Sequence, residues 1–135
     1  MKDSSCNGTA RETQNETFLM TPNYPNSIYP DNKKCTWKLT VPPGRFILLD
    51  INFPNKGLGS ECYDYFTVFD QFAPYTDNKT HMYCDSNKPP KVITSFGNEI
   101  IINFQSNRIN GYRGFEIQYK FVKPGEKLHI CDMHR

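Results

Sequence analysis

Cys35-Thr36-Trp37-Lys38-Leu39-Thr40-Val41 carries the pattern that decides the fold. Cys35, Trp37, Leu39 and Val41 alternate with Thr36, Lys38 and Thr40, so every second side chain is apolar or half-cystine. A two-residue period sends one set to a buried face and the other to water, which describes a half-buried β-strand. The same habit recurs down the chain. Ile47, Leu49, Ile51 and Phe53 share one face of the next run, while Phe46 and Leu48 lie on the other, so both sides of that strand are expected to be covered. Between Tyr63 and Asp70, Phe66 and Val68 oppose Tyr65, Thr67 and Phe69. Glu99 to Phe104 is rich in Ile, whose branched Cβ suits a pleated surface. Phe115, Ile117, Tyr119 and Phe121 alternate with Glu116, Gln118 and Lys120.

Turn chemistry separates these runs: Pro42-Pro43-Gly44, Lys56-Gly57-Leu58-Gly59, Lys88-Pro89-Pro90 and Asn110-Gly111. A further short strand is expected around His81 and Tyr83. No segment sustains a helical period. About seven or eight short strands with frequent turns predict an all-β sandwich or barrel.

A chain of 135 residues suits one domain with a fold-sized core. Its 37% hydrophobic content argues against disorder, and its 14% aromatic content leans towards sheet. The net charge is +2 and the basic residues are dispersed, with Lys33-Lys34 the only adjacent pair. That balance argues against nucleic acid and against an anionic membrane surface as partners. No run of about 18 apolar residues is present to insert in a bilayer. Met1-Lys2-Asp3-Ser4 is polar and lacks the apolar run of a signal peptide. The chain is therefore either intracellular or a piece of a secreted precursor. Five Cys, and three sequons at Asn7, Asn15 and Asn78, favour the second. The expectation is a disulfide framework in a protein that is secreted or on the extracellular face of a membrane protein, with a pairing that the spacing alone leaves open.

Catalysis is not expected. The 3 His are His81, His129 and His134. His81 sits in a strand and reads as a surface residue, and no third group is at hand to orient it. Asp64, Asp70 and Asp85 could be imagined as a carboxylate pair, yet two of them lie beside half-cystines in structural motifs. In the tail, His129, Cys131 and His134 supply three possible zinc ligands but no fourth, so no metal or other cofactor is assigned.

Several motifs, in order, resemble the CUB domain family. Thr21-Pro22-Asn23-Tyr24-Pro25, Tyr29-Pro30 and Cys35-Thr36-Trp37 resemble its opening. Cys62-Tyr63-Asp64-Tyr65 with Val68-Phe69-Asp70, then Tyr83-Cys84, resemble its centre. Asn103-Phe104-Gln105-Ser106-Asn107 and Gly114-Phe115-Glu116-Ile117-Gln118-Tyr119 resemble its end. Gln71 and Asp85 depart from the glycines usual at those positions. The resemblance implies an antiparallel β-sandwich of the CUB or spermadhesin-like jelly-roll type. It also implies bridges Cys6–Cys35 and Cys62–Cys84, each worth roughly 3–4 kcal/mol by loop entropy. Residues 1–5 are then a disordered N-terminal segment, 6–122 the domain, and 123–135 a tail or linker. Cys131 is the odd one out, pairing with a following module or remaining a free or intermolecular thiol.

The resemblance also implies where Ca²⁺ would bind: at the positions of Lys56, Asp64 and Asn107, with Tyr29 in support. In the family the first and third of these are carboxylates. Here an ammonium and an amide stand there, so no Ca²⁺ binding is expected. Lys56 either pairs with Asp64 in the ion's place or points to solvent. Glu61 could offer a substitute carboxylate if the loop is rearranged. The family's role implies an extracellular protein–protein interaction module of a multidomain protein. Glycan or glycosaminoglycan binding is the alternative, and a purely structural spacer is a third. The loops 52–61 and 106–113 are the expected interaction surface, with Lys56, Arg108, Tyr112 and Arg113 as the residues that would carry it.

Overall fold

The computed structural model describes residues 8–11, 17–107 and 111–122. Nine strands lie among them: β1 Gly8–Arg11, β2 Thr17–Met20, β3 Lys34–Thr40, β4 Phe46–Asn52, β5 Tyr65–Phe69, β6 Thr80–Tyr83, β7 Val92–Thr94, β8 Glu99–Gln105 and β9 Glu116–Val122. They form a five-stranded sheet in the order β1-β3-β8-β5-β6 and a four-stranded sheet in the order β2-β9-β4-β7. No α-helix occurs among the described residues, and none there is long and apolar enough to cross a membrane.

The alternation anticipated in β3 holds residue by residue. Cys35, Trp37 and Leu39 are buried while Lys34, Thr36, Lys38 and Thr40 are exposed. The inward rows of the first sheet are completed by Ile100, Ile102 and Phe104 of β8 and Phe66 and Val68 of β5. Ile47, Leu49 and Ile51 of β4, Ile117 and Tyr119 of β9, and Leu19 of β2 meet them from the second sheet. Leu48 is also buried, at 5% exposure, although its alternating neighbours face the core. It sits between Lys120 and Thr94 on the paired strands, so β4 is covered on both sides there, as its apolar run predicts.

One pairing differs from a wholly antiparallel sandwich: β1 runs parallel to β3, with Gly8 opposite Trp37 and Arg11 opposite Thr40. A parallel pair needs a long crossover. The chain supplies one by visiting the second sheet as β2, which pairs with β9, before returning as β3.

Loop residues close one end of the sandwich. Phe115 stacks near Phe66, with centroids 4.4 Å apart, and meets Phe104 edge-on at 5.8 Å. Tyr29 packs edge-on against Phe104 at 5.0 Å. Cys62 and Cys84 form a disulfide, tying the segment before β5 to the end of β6. Cys35 is buried in β3 and disulfide-bonded. Its expected partner, Cys6, lies outside the described residues, as do the segments 1–5 and 123–135.

Gly114 holds β9's entry in place. Its φ is +85°, and a Cβ there would strike the Thr21 hydroxyl. That hydroxyl accepts a hydrogen bond from the Phe115 amide at 3.1 Å, and the Thr21 amide donates to the Phe115 carbonyl at 3.1 Å. Gly114→Ala combines backbone strain with loss of these bonds, and should cost about 2–3 kcal/mol. Urea denaturation would show this as a lowered midpoint with unchanged slope; an unchanged midpoint would refute the account.

Candidate functional site

Asp64 immediately precedes β5 and is 2% exposed. A carboxylate so far from water needs donors, since an unsatisfied buried charge costs several kcal/mol. Tyr29 donates its phenol to Oδ2 at 2.6 Å, and the Asn107 amide donates to Oδ1 at 2.9 Å. The three residues come from three loops that the family resemblance had already singled out. Burial first, then the hydrogen bond to Asp64, push the Tyr29 phenol far above its ordinary value, so it stays a proton donor throughout the physiological range.

The neighbouring loops are stitched together by backbone bonds. The Tyr29 amide donates to the Tyr112 carbonyl at 3.2 Å, and the Asn32 amide to the Asn107 carbonyl at 2.8 Å. The Gly114 amide donates to Gly57 at 2.7 Å, and the Arg113 amide to Lys56 at 3.2 Å. Asp85, in place of the family's glycine, accepts from the Leu58 amide at 3.2 Å, while its own amide donates to Gly59 at 3.1 Å. Gln71, the other departure, donates to Glu99 at 2.9 Å. Two non-glycine residues of the 52–62 region take the left-handed conformation, Lys56 at φ 59° and Cys62 at φ 63°. Such residues persist only where the surroundings hold them.

These loops frame a cleft of about 220 Å³ lined by Leu58, Gly59, Glu61, Tyr63, Asp64 and Tyr112, among others. Tyr112 is half-buried, and its ring lies so close over Gly59 that a Cβ there would come within 2.7 Å of it. Lys56 and Arg113 are exposed. Lys56 makes no ion pair with Asp64, whose oxygens are occupied by Tyr29 and Asn107. Glu61 is exposed at the cleft margin. Arg108, Asn7, Asn15, His129, Cys131 and His134 lie outside the described residues.

The donor set is poor in the carboxylates that Ca²⁺ favours. The ion wants about six to eight oxygens, several of them carboxylate. Of the three positions the family would use, only Asp64 is a carboxylate, and it is engaged on both oxygens. No group of three or more His, Cys, Asp or Glu close enough to hold a metal exists among the described residues.

Two arrangements escaped the sequence reading. Asp70, which follows β5, accepts from the Phe72 amide at 3.0 Å and the Phe96 amide at 2.8 Å. Asp85 grips the 57–59 turn as described above. The Phe72 amide lies only two residues on from Asp70, but the Phe96 and Leu58 amides come from remote loops and leave no local signature. Asp64, Asp70 and Asp85 thus each hold loop backbone through their carboxylates. His81 stands 3.6 Å from Asp77 on the surface.

A two-sheet sandwich with an internal disulfide and hydrogen-bonded loops around one cleft defines a stapled β-sandwich module. The profile of the CUB domain matches residues 6–119, and the chain belongs to that family. Among its relatives are zebrafish Neuropilin-1a, 35% identical over 93% of this chain and 13% of that protein, and zebrafish Signal peptide, CUB and EGF-like domain-containing protein 2, 32% identical over 87% and 11%. Human Procollagen C-endopeptidase enhancer 2 is 28% identical over 82% of this chain and 26% of that protein. The chain thus spans no more than about a quarter of these relatives. Solved structures agree in fold. The full extracellular region of zebrafish Gpr126/Adgrg6 matches with a TM-score of 0.72 at 24% identity, over 88% of this chain and 15% of that one. The CUB1-EGF-CUB2 region of human MASP-1/3 matches with a TM-score of 0.67 at 26% identity, over 85% and 45%. With secreted and extracellular-facing relatives, the chain is an extracellular module.

Tyr29→Phe should cost about 1.5–3 kcal/mol at pH 7, the worth of a hydrogen bond to a charged group. The phenol's raised folded value also gives a pH signature. The unfolded chain loses this proton first, so the contribution is complete below about pH 10 and is lost as pH rises beyond it. Denaturation midpoints between pH 8 and 11 should fall more steeply for the natural chain than for Tyr29→Phe. Parallel curves would overturn the assignment.

Proposed function

We propose that this domain is a non-catalytic protein-recognition module of a larger extracellular protein, and that it presents its loops 52–61 and 106–113 to a partner without Ca²⁺. The observation that carries the reading is Asp64. Its two oxygens are engaged by Tyr29 and Asn107, so the loop end is tied together by neutral donors from within the chain. A structure similar to this chain in fold, the MASP-1 CUB2 domain bound to Ca2+, shares 21% identity with a TM-score of 0.61, over 85% of this chain and 99% of that one. In this chain hydrogen bonds tie the loops together.

Tyr112, fixed over Gly59, and the exposed Arg113 and Lys56 then form the face offered to a partner. Tyr and Arg are the residue types that most often carry binding energy at interfaces. Preorganised loops also reduce the entropy lost on docking. Glycan or glycosaminoglycan binding stays the second reading, since the exposed Lys56 and Arg113 would offer cations to sulfate groups.

The metal part is tested by melting the protein in chelator and in 1 mM Ca²⁺. No shift beyond about 1 °C is expected. An ion bound at one hundredth of that concentration would add about 2.7 kcal/mol and a shift of several degrees, which would refute the proposal. The surface is tested by binding to an array of extracellular ectodomains. Arg113→Ala and Tyr112→Ala should each weaken a saturable interaction about tenfold or more. Retention on heparin above physiological salt, with no saturable protein partner, would replace the first reading by the second.

A further inference from the structure

Asp70 builds a second fixed surface at the other end of β5. Its carboxylate positions the backbone of Phe72 and Phe96 together. The loop between them and β6 is braced by Lys79, whose ammonium donates to the carbonyls of Gln71 at 3.0 Å and Ala73 at 2.7 Å. The result is a cleft of about 130 Å³ with Val68, Ile93 and Ile100 among its apolar lining and Asn78, His81 and Phe96 beside them. Phe96 is 53% exposed and Phe72 49%, so apolar ring surface faces water beside a polar rim. Exposed apolar surface beside a cleft is where a covering group gains contact.

Two independent features meet at Asn78. It is the acceptor of the sequon Asn78-Lys79-Thr80, exposed on a surface loop of an extracellular domain. It also lines this cleft. We infer that Asn78 carries an N-linked glycan whose first N-acetylglucosamine seats in the cleft against Phe96. In the attachment step Nδ2 of Asn78 bonds to C1 of the sugar of a lipid-pyrophosphate-linked oligosaccharide. The C1–O bond to the pyrophosphate breaks, the lipid pyrophosphate leaves with the bonding pair, and the nitrogen gives up one proton. The sugar's C–H face and acetyl methyl match the Phe96 ring and the apolar lining, while its hydroxyls keep to the polar rim. Because the sugar is tethered to the rim, it meets the cleft at high effective concentration, and weak contacts suffice to seat it. The inference does not rest on the recognition surface, which lies at the opposite end of β5.

The test uses the whole chain secreted from cells that make high-mannose glycans. Peptide mapping by mass should find the sugar on Asn78. An endoglycosidase that leaves a single N-acetylglucosamine should preserve a melting temperature about 3 °C above that of Thr80→Ala, which lacks the sequon but keeps Asn78. Thr80→Ser, which keeps the sequon, should match the natural chain. In a Phe96→Ser background the gain from the single sugar should vanish, and the cycle isolates the contact from any general effect of the substitution. An unmodified Asn78 in the secreted chain overturns the attachment. A gain of equal size with and without the Phe96 ring overturns the seating.

Discussion

A carboxylate buried to the depth of Asp64 needs hydrogen-bond donors, and this demand organises the loop end of the sandwich. Its donors, the Tyr29 phenol and the Asn107 amide, come from 35 residues before it and 43 after it in the chain. Meeting both at once selects one arrangement of three loops. The Tyr29 ring packs edge-on against Phe104, which packs edge-on against Phe115. The polar knot and the aromatic core therefore position each other. A shift of the ring that kept the packing would break the bond to Asp64, and a shift that kept the bond would open a void in a close-packed core.

β5 repeats this device at its two ends. Asp64 stands just before its first residue and Asp70 just after its last, about 20 Å apart at the rise of an extended strand. Each gathers a backbone amide of a distant loop, Asn107 for the first and Phe96 for the second, and Asp70 also accepts from the Phe72 amide two residues on. The strand is interior to its sheet, between β8 and β6, so its ends are firm points to hang loops on. A carboxylate at each strand end thus orders the loop backbone around it.

How much of this was legible follows from where each interaction is encoded. β3, β5 and β9 announce themselves by alternating side chains, β4 by an apolar run on both faces and β8 by its run of Ile. β1 does not, since Gly8-Thr9-Ala10-Arg11 has no such alternation and is recruited by pairing with the backbone of β3. The three residues of β7 are too few to show a period, and β2 is scarcely longer. At the site, Tyr29, Asp64 and Asn107 stood out only through the ordered family motifs, which specify positions but not donors. The reach of Asp70 to Phe96 and of Asp85 to Leu58 had no local signal, because an aspartate's remote amides are chosen by the finished fold.

Lys56 shows the same limit from the side of energetics. Coulomb attraction alone would draw its ammonium to Asp64, and the substitution of a cation for the family's carboxylate invites that reading. Attraction competes with desolvation. Bringing an ammonium into a buried site strips its hydration at a cost of several kcal/mol. The phenol and the amide are neutral, already inside, and lose far less on burial. Neutral donors therefore hold the carboxylate while the ammonium stays in water, and the exposed cation next to Arg113 becomes a property of the surface instead of the core.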